Sequence, residues 1–162
     1  MLESLIVLEH RLAANHSCGV RKDRQMELPL TADERMVFRA RRRTRCGKEV
    51  LLQLPRDQAL QPGDRLMDGA MTLQVEVIAA SEPLLRVSAV TLLELLQAAY
   101  HLGNRHVALE LHEQELFLPD DAVLASMLRS RGLKVSSCNR AFLPEGGAYG
   151  GGHSHGHGVA ST

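Results

Sequence analysis

The chain has 162 residues, and 44% of them are hydrophobic, which suffices for one average domain or two small ones with buried cores. Its 19 basic and 19 acidic residues cancel, so no global charge attracts it to nucleic acid or to a membrane surface. Aromatic residues account for only 3%, with no tryptophan, which argues against stacking platforms for single-stranded nucleic acid.

The cysteines and the first residues bear on the cellular compartment. Cys18, Cys46 and Cys138 are odd in number and include no Cys-x-x-Cys pair, as expected of reduced thiols rather than of a disulfide framework. Glu3 stands where a signal peptide would carry positive charge, and no apolar run approaches the roughly 20 residues of a membrane span. We therefore expect a soluble, cytoplasmic protein that does not associate with membranes.

Residues 1–79 have the pattern of a small β-rich domain. Alternating segments predict strands at residues 2–8, 37–41, 49–54 and 71–79. Pro62 and Gly63 supply turn chemistry before the last of these strands. Such a succession of short strands and turns favours a small sandwich or barrel-like domain.

Ser81, Glu82 and Pro83 mark the predicted domain boundary, because proline disfavours a continuing strand ladder. Residues 82–143 then predict four strands and two helices, with the strands at residues 84–89, 106–111, 115–118 and 133–137. The order is βαββαβ, that of a ferredoxin-like domain. The fold class is therefore predicted to be α+β.

The two predicted helices carry clear end signals. Thr91 and Glu94 form a capping box, and Gly103 falls where a helix C-cap is expected. Pro119 and the two aspartates after it open the second helix with proline and negative charge. The predicted core-facing positions are Leu92, Leu95, Leu96 and Ala99 in the first helix and Val123, Leu124, Met127 and Leu128 in the second.

Residues 144–162 are rich in glycine and offer almost nothing apolar to bury, so we expect a disordered tail. This tail carries His153, His155 and His157. A purification tag is the alternative explanation, but the interleaved serine and glycine and the closing Val-Ala-Ser-Thr argue against it.

Histidine placement points to metal binding. His101 and His106 frame a helix-to-strand turn, and neutral imidazole is the commonest protein ligand for late first-row metals. On a strand, His106 and His112 would lie about 20 Å apart, too far to share an ion, and His101 points elsewhere. One chain therefore offers one ligand, His106, at this spot.

Two additions would complete such a site. A two-fold dimer through the open face of the sheet would bring together His106 from each subunit. Tail histidines would add ligands, since a short flexible tether gives an effective concentration on the order of mM. The alternative is a structural role for His106, hydrogen-bonded to a backbone carbonyl. His112 is interpreted as a surface histidine, and His10 carries no signal. His16 and Cys18 could pair as a metal site, but the favoured interpretation is that they are ordinary loop residues.

The sequence also contains a basic cluster, and it lacks the common catalytic motifs. Alternation would divide the cluster between both faces of a strand, which favours a solvated edge that blocks aggregation, then a protein-docking edge, and last nucleic acid. The cluster consists of Arg39, Arg41, Arg42, Arg43 and Arg45. The sequence has no Gly-x-Ser-x-Gly, phosphate-cradling loop or His-Glu-x-x-His motif, so we do not expect an enzyme.

The sequence resembles the UreE family of urease accessory nickel chaperones over essentially its whole length. The most specific matching stretch is Tyr100-His101-Leu102-Gly103-Asn104-Arg105-His106. Supporting matches are Arg41-Arg42-Arg43, Leu54-Pro55-Arg56 before Gly63-Asp64, Met127-Leu128-Arg129 with Gly132-Leu133, and Pro144-Glu145-Gly146-Gly147-Ala148-Tyr149.

The resemblance implies a homodimer with an N-terminal domain similar to a chaperone peptide-binding fold and a ferredoxin-like C-terminal domain. It further implies that His106 binds Ni(II) at the dimer interface, that tail histidines add ligands, and that His101 is a weaker candidate. The nickel would pass as transient cargo to the urease accessory GTPase and the urease pre-activation complex. Asp120 and Asp121 stand where some members carry extra histidines, which puts an auxiliary metal site in doubt.

Three functional hypotheses follow. The first is a nickel metallochaperone for urease maturation that uses His106 with His153, His155 or His157. The second is a general zinc- or copper-binding or metal-sensing protein with the same ligands, because the Irving–Williams order places copper above nickel. The third is an interaction or RNA-binding module that uses the arginine cluster.

Overall fold

The computed structural model describes residues 5–16 and 19–146, which form a mostly-β N-terminal domain and a C-terminal α/β domain. The N-terminal domain contains six strands: β1 (Ile6–Leu12), β2 (Gln25–Leu30), β3 (Arg39–Arg43), β4 (Glu49–Gln53), β5 (Arg65–Asp68) and β6 (Gln74–Ala79). They form one sheet in the order β2-β6-β5-β1-β4-β3, in which β1 pairs with β4 and β2 with β6 in parallel.

Alternation of apolar residues builds the core of this sheet. Leu8, Leu52 and Val75 are fully buried and belong to one cluster that draws on all strands except β3. The predicted strand at 49–54 is confirmed as β4, whereas the predictions at 2–8 and 37–41 are displaced toward later residues. The strand predicted at 71–79 begins only at Gln74, because Met71 adopts a left-handed turn conformation with φ of 57°.

The sequence patterns missed β2 and β5. Pro29 within β2 argues against a strand, but β2 is an edge strand that tolerates proline. Glu27, two residues earlier, turns its carbonyl away from β6 to accept the Arg45 N–H at 2.8 Å. Pro29 therefore faces the same open side, where its missing N–H removes no hydrogen bond of the β2–β6 ladder.

The C-terminal domain places two helices on one face of a four-stranded sheet. Its elements are β7 (Ser81–Ser88), α1 (Leu92–Gly103), β8 (Glu110–Leu111), β9 (Glu115–Pro119), α2 (Ala122–Ser130) and β10 (Lys134–Ala141). The sheet order is β10-β7-β9-β8, and all neighbouring strands are antiparallel. Within the described ranges, neither helix is long and apolar enough to cross a membrane.

The capping box that opens α1 is confirmed, since Thr91 and Glu94 each accept the other's backbone N–H. The predicted inward stripe is wrong at Leu92 and Leu96, which are exposed. The buried stripe of α1 begins three residues later and consists of Leu95, Ala98 and Leu102.

The predicted core-facing positions of α2 are also wrong in part. Val123 is exposed, while Leu124, Met127 and Leu128 pack toward the sheet with the buried Ala125. Pro119 and Asp120 precede the helix, which begins at Ala122 after the side chain of Asp121 caps the N–H of Leu124 at 2.8 Å.

Three strands of the C-terminal domain differ in length from their predictions by more than one residue: β7 and β10 are longer, and β8 is shorter. β8 contains only Glu110 and Leu111, because the chain before it completes the helix-ending turn of α1. β7 begins at Ser81, so Pro83 lies inside a strand rather than in a linker. The Pro83 carbonyl accepts the Asp120 N–H just beyond the end of β9. The Pro83 nitrogen faces the same side, where the β7–β9 ladder has ended, so its missing N–H removes no hydrogen bond of that ladder.

The chain after β10 crosses the helix-free face of the sheet. We call residues 142–145 the crossing segment. Phe142 is buried in a cluster with Leu84 and Phe117, against which Ala32 of the N-terminal domain packs. The N-terminal domain also contributes Arg35, which is 4% exposed and donates to the Phe142 carbonyl at 2.5 Å. This face, which the sequence suggested as an open dimer surface, is therefore covered in part by the chain itself.

Candidate metal site

His106 lies in the turn that ends α1. Its N–H donates to the Gly103 carbonyl at 2.9 Å, and the N–H of Val107 donates to the Leu102 carbonyl at 3.1 Å. These two bonds are the 5→2 and 6→1 pair of a Schellman motif, and Leu102 and Val107 make its apolar contact in the helix-side core. The predicted glycine cap is wrong in position. Gly103 is still helical, and His106 occupies the left-handed position of the motif.

The same motif ends α2 with glycine in the left-handed position. Gly132 donates to the Arg129 carbonyl at 2.9 Å and Leu133 to the Leu128 carbonyl at 3.2 Å. The φ angle is 83° at Gly132 and 57° at His106. A left-handed backbone costs a residue with a side chain about 1 kcal/mol relative to glycine. His106 therefore carries an imidazole where the backbone alone would favour glycine.

The imidazole of His106 is exposed, and no side-chain hydrogen bond joins it to another residue in the part of the chain that the structure describes. The structural alternative, an imidazole bonded to a backbone carbonyl, is therefore not seen there. An exposed imidazole without such a partner offers a nitrogen lone pair to a metal ion.

The neighbouring histidines are arranged differently. His101 sits on the last turn of α1 with its ring edge-on to Tyr100, at 5.7 Å between centroids. His112 is half-exposed, packs edge-on against Phe117 at 5.5 Å and lies 2.8 Å from the Glu110 carboxylate through Nε2. His112 thus behaves as the predicted surface histidine.

No group of three potential metal ligands forms among residues 5–16 and 19–146. The His16 imidazole hydrogen-bonds only the adjacent Asn15 side chain among the described residues, and Cys18 lies outside them. The predicted tail ligands His153, His155 and His157 lie outside them as well. Of the predicted metal ligands, only His106 lies in the described part of the chain.

Glu110 is a buried carboxylate close to His106 in sequence that the sequence patterns did not single out. It is 6% exposed, and Oε1 accepts from Arg140 at 2.7 Å, while Oε2 accepts the Leu143 N–H at 2.7 Å. Burial raises the pKa of its carboxyl, but the Leu143 N–H, His112 and the positive charge of Arg140 outweigh burial and lower the pKa overall. The only sequence signal was a carboxylate between two apolar residues of a predicted strand.

The crossing segment ends beside the strand that follows His106. After Leu143 bonds Glu110, the Glu145 N–H donates to the Leu109 carbonyl at 2.7 Å. The contacts thus pass from residue 110 to residue 109 as the segment advances, in the direction of His106. Residues 144–146, predicted as the start of the tail, are described here, and Glu145 is hydrogen-bonded.

The helix that precedes the His106 turn, α1, has an exposed apolar face. Leu92, Leu96 and Tyr100 are spaced four residues apart, and Leu93 lies three residues before Leu96, so they share one side of the helix, away from the buried stripe. Large exposed apolar patches on a domain mark interaction surfaces. This exposed face is therefore a candidate interaction surface on the helix that leads into the His106 turn.

The arginine cluster lies on and after β3, an edge strand of the N-terminal sheet. Arg43 pairs with Glu49 at 3.3 Å, and Arg45 pairs with Glu27 of β2, the other edge. Arg42 is turned the other way and lies 3.9 Å from Glu34. The predicted division of the cluster between two faces is confirmed, and the pairs to acidic neighbours suit a solvated edge.

Two family models match the chain. One, described as the N-terminal domain of the UreE urease accessory protein, matches residues 8–79, and the other, described as its C-terminal domain, matches residues 82–161.

Curated relatives agree with this assignment. Urease accessory protein UreE of Parasynechococcus marenigrum (strain WH8102) is 65% identical over 156 residues, which cover 96% of this chain and 100% of the relative. The UreE of Synechococcus sp. (strain WH7805) is 64% identical over 150 residues, 93% of this chain and 86% of the relative. That of Thermosynechococcus vestitus is 51% identical over 136 residues, 82% of this chain and 90% of the relative. The chain belongs to the UreE family of urease accessory proteins.

Proposed function

We propose that this protein is a non-catalytic nickel metallochaperone that binds Ni(II) through His106 and delivers it during urease maturation. The observation that carries the proposal is the exposed His106 imidazole, held in a left-handed position that would favour glycine. Backbone strain of this kind concentrates at functional sites. A protein family named for its accessory role to urease, a nickel enzyme, supplies the choice of metal and of process.

The site requires two copies of the chain. A single His106 is too few ligands, and a two-fold axis beside it would duplicate the imidazole. The exposed apolar face of α1 is the surface that supports such a dimer, because its row of leucines and Tyr100 leads toward the His106 turn. We propose a homodimer through α1, in place of the sheet face considered from the sequence.

Tail histidines complete the coordination in this proposal. His153, His155 and His157 follow Gly146 by about seven to eleven residues, enough chain to span roughly 20 Å or more. The described end of the tail is directed toward His106 by the Glu145–Leu109 hydrogen bond. Ligands supplied partly by a tethered segment suit capture and release of cargo better than permanent storage.

We also propose the domain division, the fold of the C-terminal domain, the partners and the cellular compartment. The division into residues 1–79, 82–143 and 144–162, and a ferredoxin-like C-terminal domain, are supported by the two sheets and by the antiparallel order β10-β7-β9-β8. The partners would be the urease accessory GTPase and the urease pre-activation complex, in the cytoplasm. Zinc or copper can occupy the same ligands in vitro, so the alternative remains a zinc- or copper-binding or sensing protein.

Native mass spectrometry of a nickel titration tests the site. We expect a wild-type dimer that takes a first nickel ion, and neither His106→Ala nor His106→Gly to hold it. The glycine variant matters because it removes the ligand while relaxing the backbone, so a loss of binding cannot be ascribed to a distorted turn. Full first-site binding by both variants would refute the proposal.

Urease activation separates nickel delivery from general metal binding. Apo-urease supplied with its accessory proteins should gain activity faster with the wild-type protein than with His106→Gly when nickel is limiting. If urease activity rises equally fast with and without the protein, and zinc or copper co-purifies from cells grown without added metal, the zinc- or copper-binding or sensing alternative is favoured instead.

A further inference from the structure

We propose that the crossing segment places the root of the C-terminal tail beside His106, with Glu110 as the positioning residue that holds it there. The inference rests on the proposed function, because it assigns a purpose to the path that the chain takes toward that metal site. Residues 142–145 and the residues that hold them all lie in the part of the chain that the structure describes.

The sheet order makes such a device necessary. β10, the last strand, lies at one edge of the sheet, and β8, which follows His106, lies at the opposite edge. Three interstrand spacings of about 4.8 Å separate these edges, or about 14 Å in total. A tail that left β10 directly would begin on the wrong side of the domain.

The crossing segment removes this separation. Phe142 is 1% exposed and anchors the middle of the crossing on Leu84 and Phe117 of the two central strands. Arg35 of the N-terminal domain donates a hydrogen bond to the Phe142 carbonyl. Glu145 then reaches the far edge, where its N–H meets the Leu109 carbonyl, three residues from His106.

Glu110 is built to hold this crossing rather than to bind metal. Its Oε1 accepts from Arg140 and lies against His112, and its Oε2 accepts from Leu143, so both carboxylate oxygens are occupied. Arg140 extends from β10 over the Phe117 ring, at 4.1 Å from the ring centroid, to reach this carboxylate. The same two edges that the main chain connects are therefore also connected by an ion pair.

The expected effect follows from chain length. With the crossing intact, the tail starts at Gly146, about seven residues before His153; released beyond Phe142, it starts about eleven residues before. Effective concentration falls roughly as the −3/2 power of linker length, which gives about a 2-fold loss. The root also retreats toward the middle of the sheet, so we expect about a 2- to 5-fold weaker nickel affinity in total.

Two pairs of variants test the inference. Glu110→Ala with Glu145→Pro removes the carboxylate and the last N–H, and Leu111→Ala with Glu145→Ala is the control, because it alters exposed side chains and keeps both anchors. If the first double variant does not fold, Glu145→Pro against Glu145→Ala tests the final hydrogen bond alone, since Glu145 is exposed.

Two measurements decide the outcome. Hydrogen exchange of metal-free protein should show faster exchange at Leu143 when Glu110 is replaced, and chelator competition should show weaker nickel binding by the anchor-deleted variants than by their controls. Equal affinities within each pair, while His106→Gly still loses the first nickel, would overturn the crossing-segment inference alone. Wild-type binding by His106→Gly would instead overturn the proposed metal site.

Discussion

His106 and Gly132 occupy the same position of the same helix-ending motif, one after α1 and the other after α2. Each has a positive φ, and each is followed by an apolar residue, Val107 or Leu133, that packs into the helix-side core. The two turns differ in the residue that the left-handed backbone must accommodate. This pairing allows the energetic penalty of the imidazole to be measured within one protein.

The first prediction is that His106→Gly stabilises the fold while abolishing the proposed ligand. The left-handed backbone without a side chain should raise the free energy of unfolding by about 0.5–1 kcal/mol. Urea unfolding of metal-free protein measures it. Gly132→Ala should lower stability by about 1 kcal/mol or more for the reverse reason. Lower stability of His106→Gly than wild type would show that the imidazole has a structural role.

The sequence predicted the domain order and most C-terminal elements, because those helices carry strong end signals such as the Thr91–Glu94 box. It could not predict which side of α1 faces the sheet, since apolar residues nearly surround the helix. Leu92 and Leu96 satisfy helical periodicity as well as Leu95 and Leu102 do, and only tertiary packing separates them.

The candidate site was predictable only in part. The Gly-Asn-Arg-His stretch identified His106, but local pattern placed it on a strand, whereas the 6→1 bond from Val107 places it in a turn. The crossing segment was not predictable, because its anchors, Arg35 and Glu110, are 107 and 33 residues from their partners in sequence. Contacts of such long range leave no periodic signal in a single sequence.

The second prediction concerns the buried arginine between the domains. Arg35→Ala should lower the free energy of unfolding by about 2 kcal/mol, because it leaves the buried Phe142 carbonyl without its donor. Chemical denaturation of the full chain measures the effect. Arg39→Ala is the matched control, since Arg39 is exposed and forms no ion pair with the described residues. Similar losses in both variants would contradict an interdomain role for Arg35.

The third prediction is a pH dependence due to Glu110, whose pKa is lowered in the folded protein. Above about pH 4.3, the ordinary glutamate value, its charge contributes full stability, and this contribution is lost as pH falls through the lower folded pKa. Below about pH 4.3 the wild type should therefore lose stability faster than Glu110→Gln, as measured by urea midpoints at several pH values. Parallel curves for the two proteins would exclude a stabilising charge at this position.

The fourth prediction is that nickel affinity falls as the pH is lowered from 8 to 5, because protons compete for the imidazole nitrogens that bind the ion. Isothermal titration between pH 8 and pH 5 measures it. His112→Ala serves as the control, since its imidazole is engaged with Glu110 and is not a proposed ligand. An affinity that stays constant over this range would be incompatible with histidine ligation.

The last prediction tests the dimer through the exposed side of α1. Leu96 is 58% exposed at the centre of that apolar face, whereas Val123 on α2 is 72% exposed outside it. A glutamate at position 96 would have to lose its hydration in an interface through α1, a penalty that no partner on this leucine-rich face would offset. Light scattering after size exclusion should therefore find Leu96→Glu monomeric and Val123→Glu dimeric. Because the metal site draws His106 from both subunits, Leu96→Glu should also lose the first nickel ion while keeping a folded circular dichroism spectrum. A dimeric Leu96→Glu would move the two-fold axis away from α1, and a monomer that still holds nickel would show that one chain suffices.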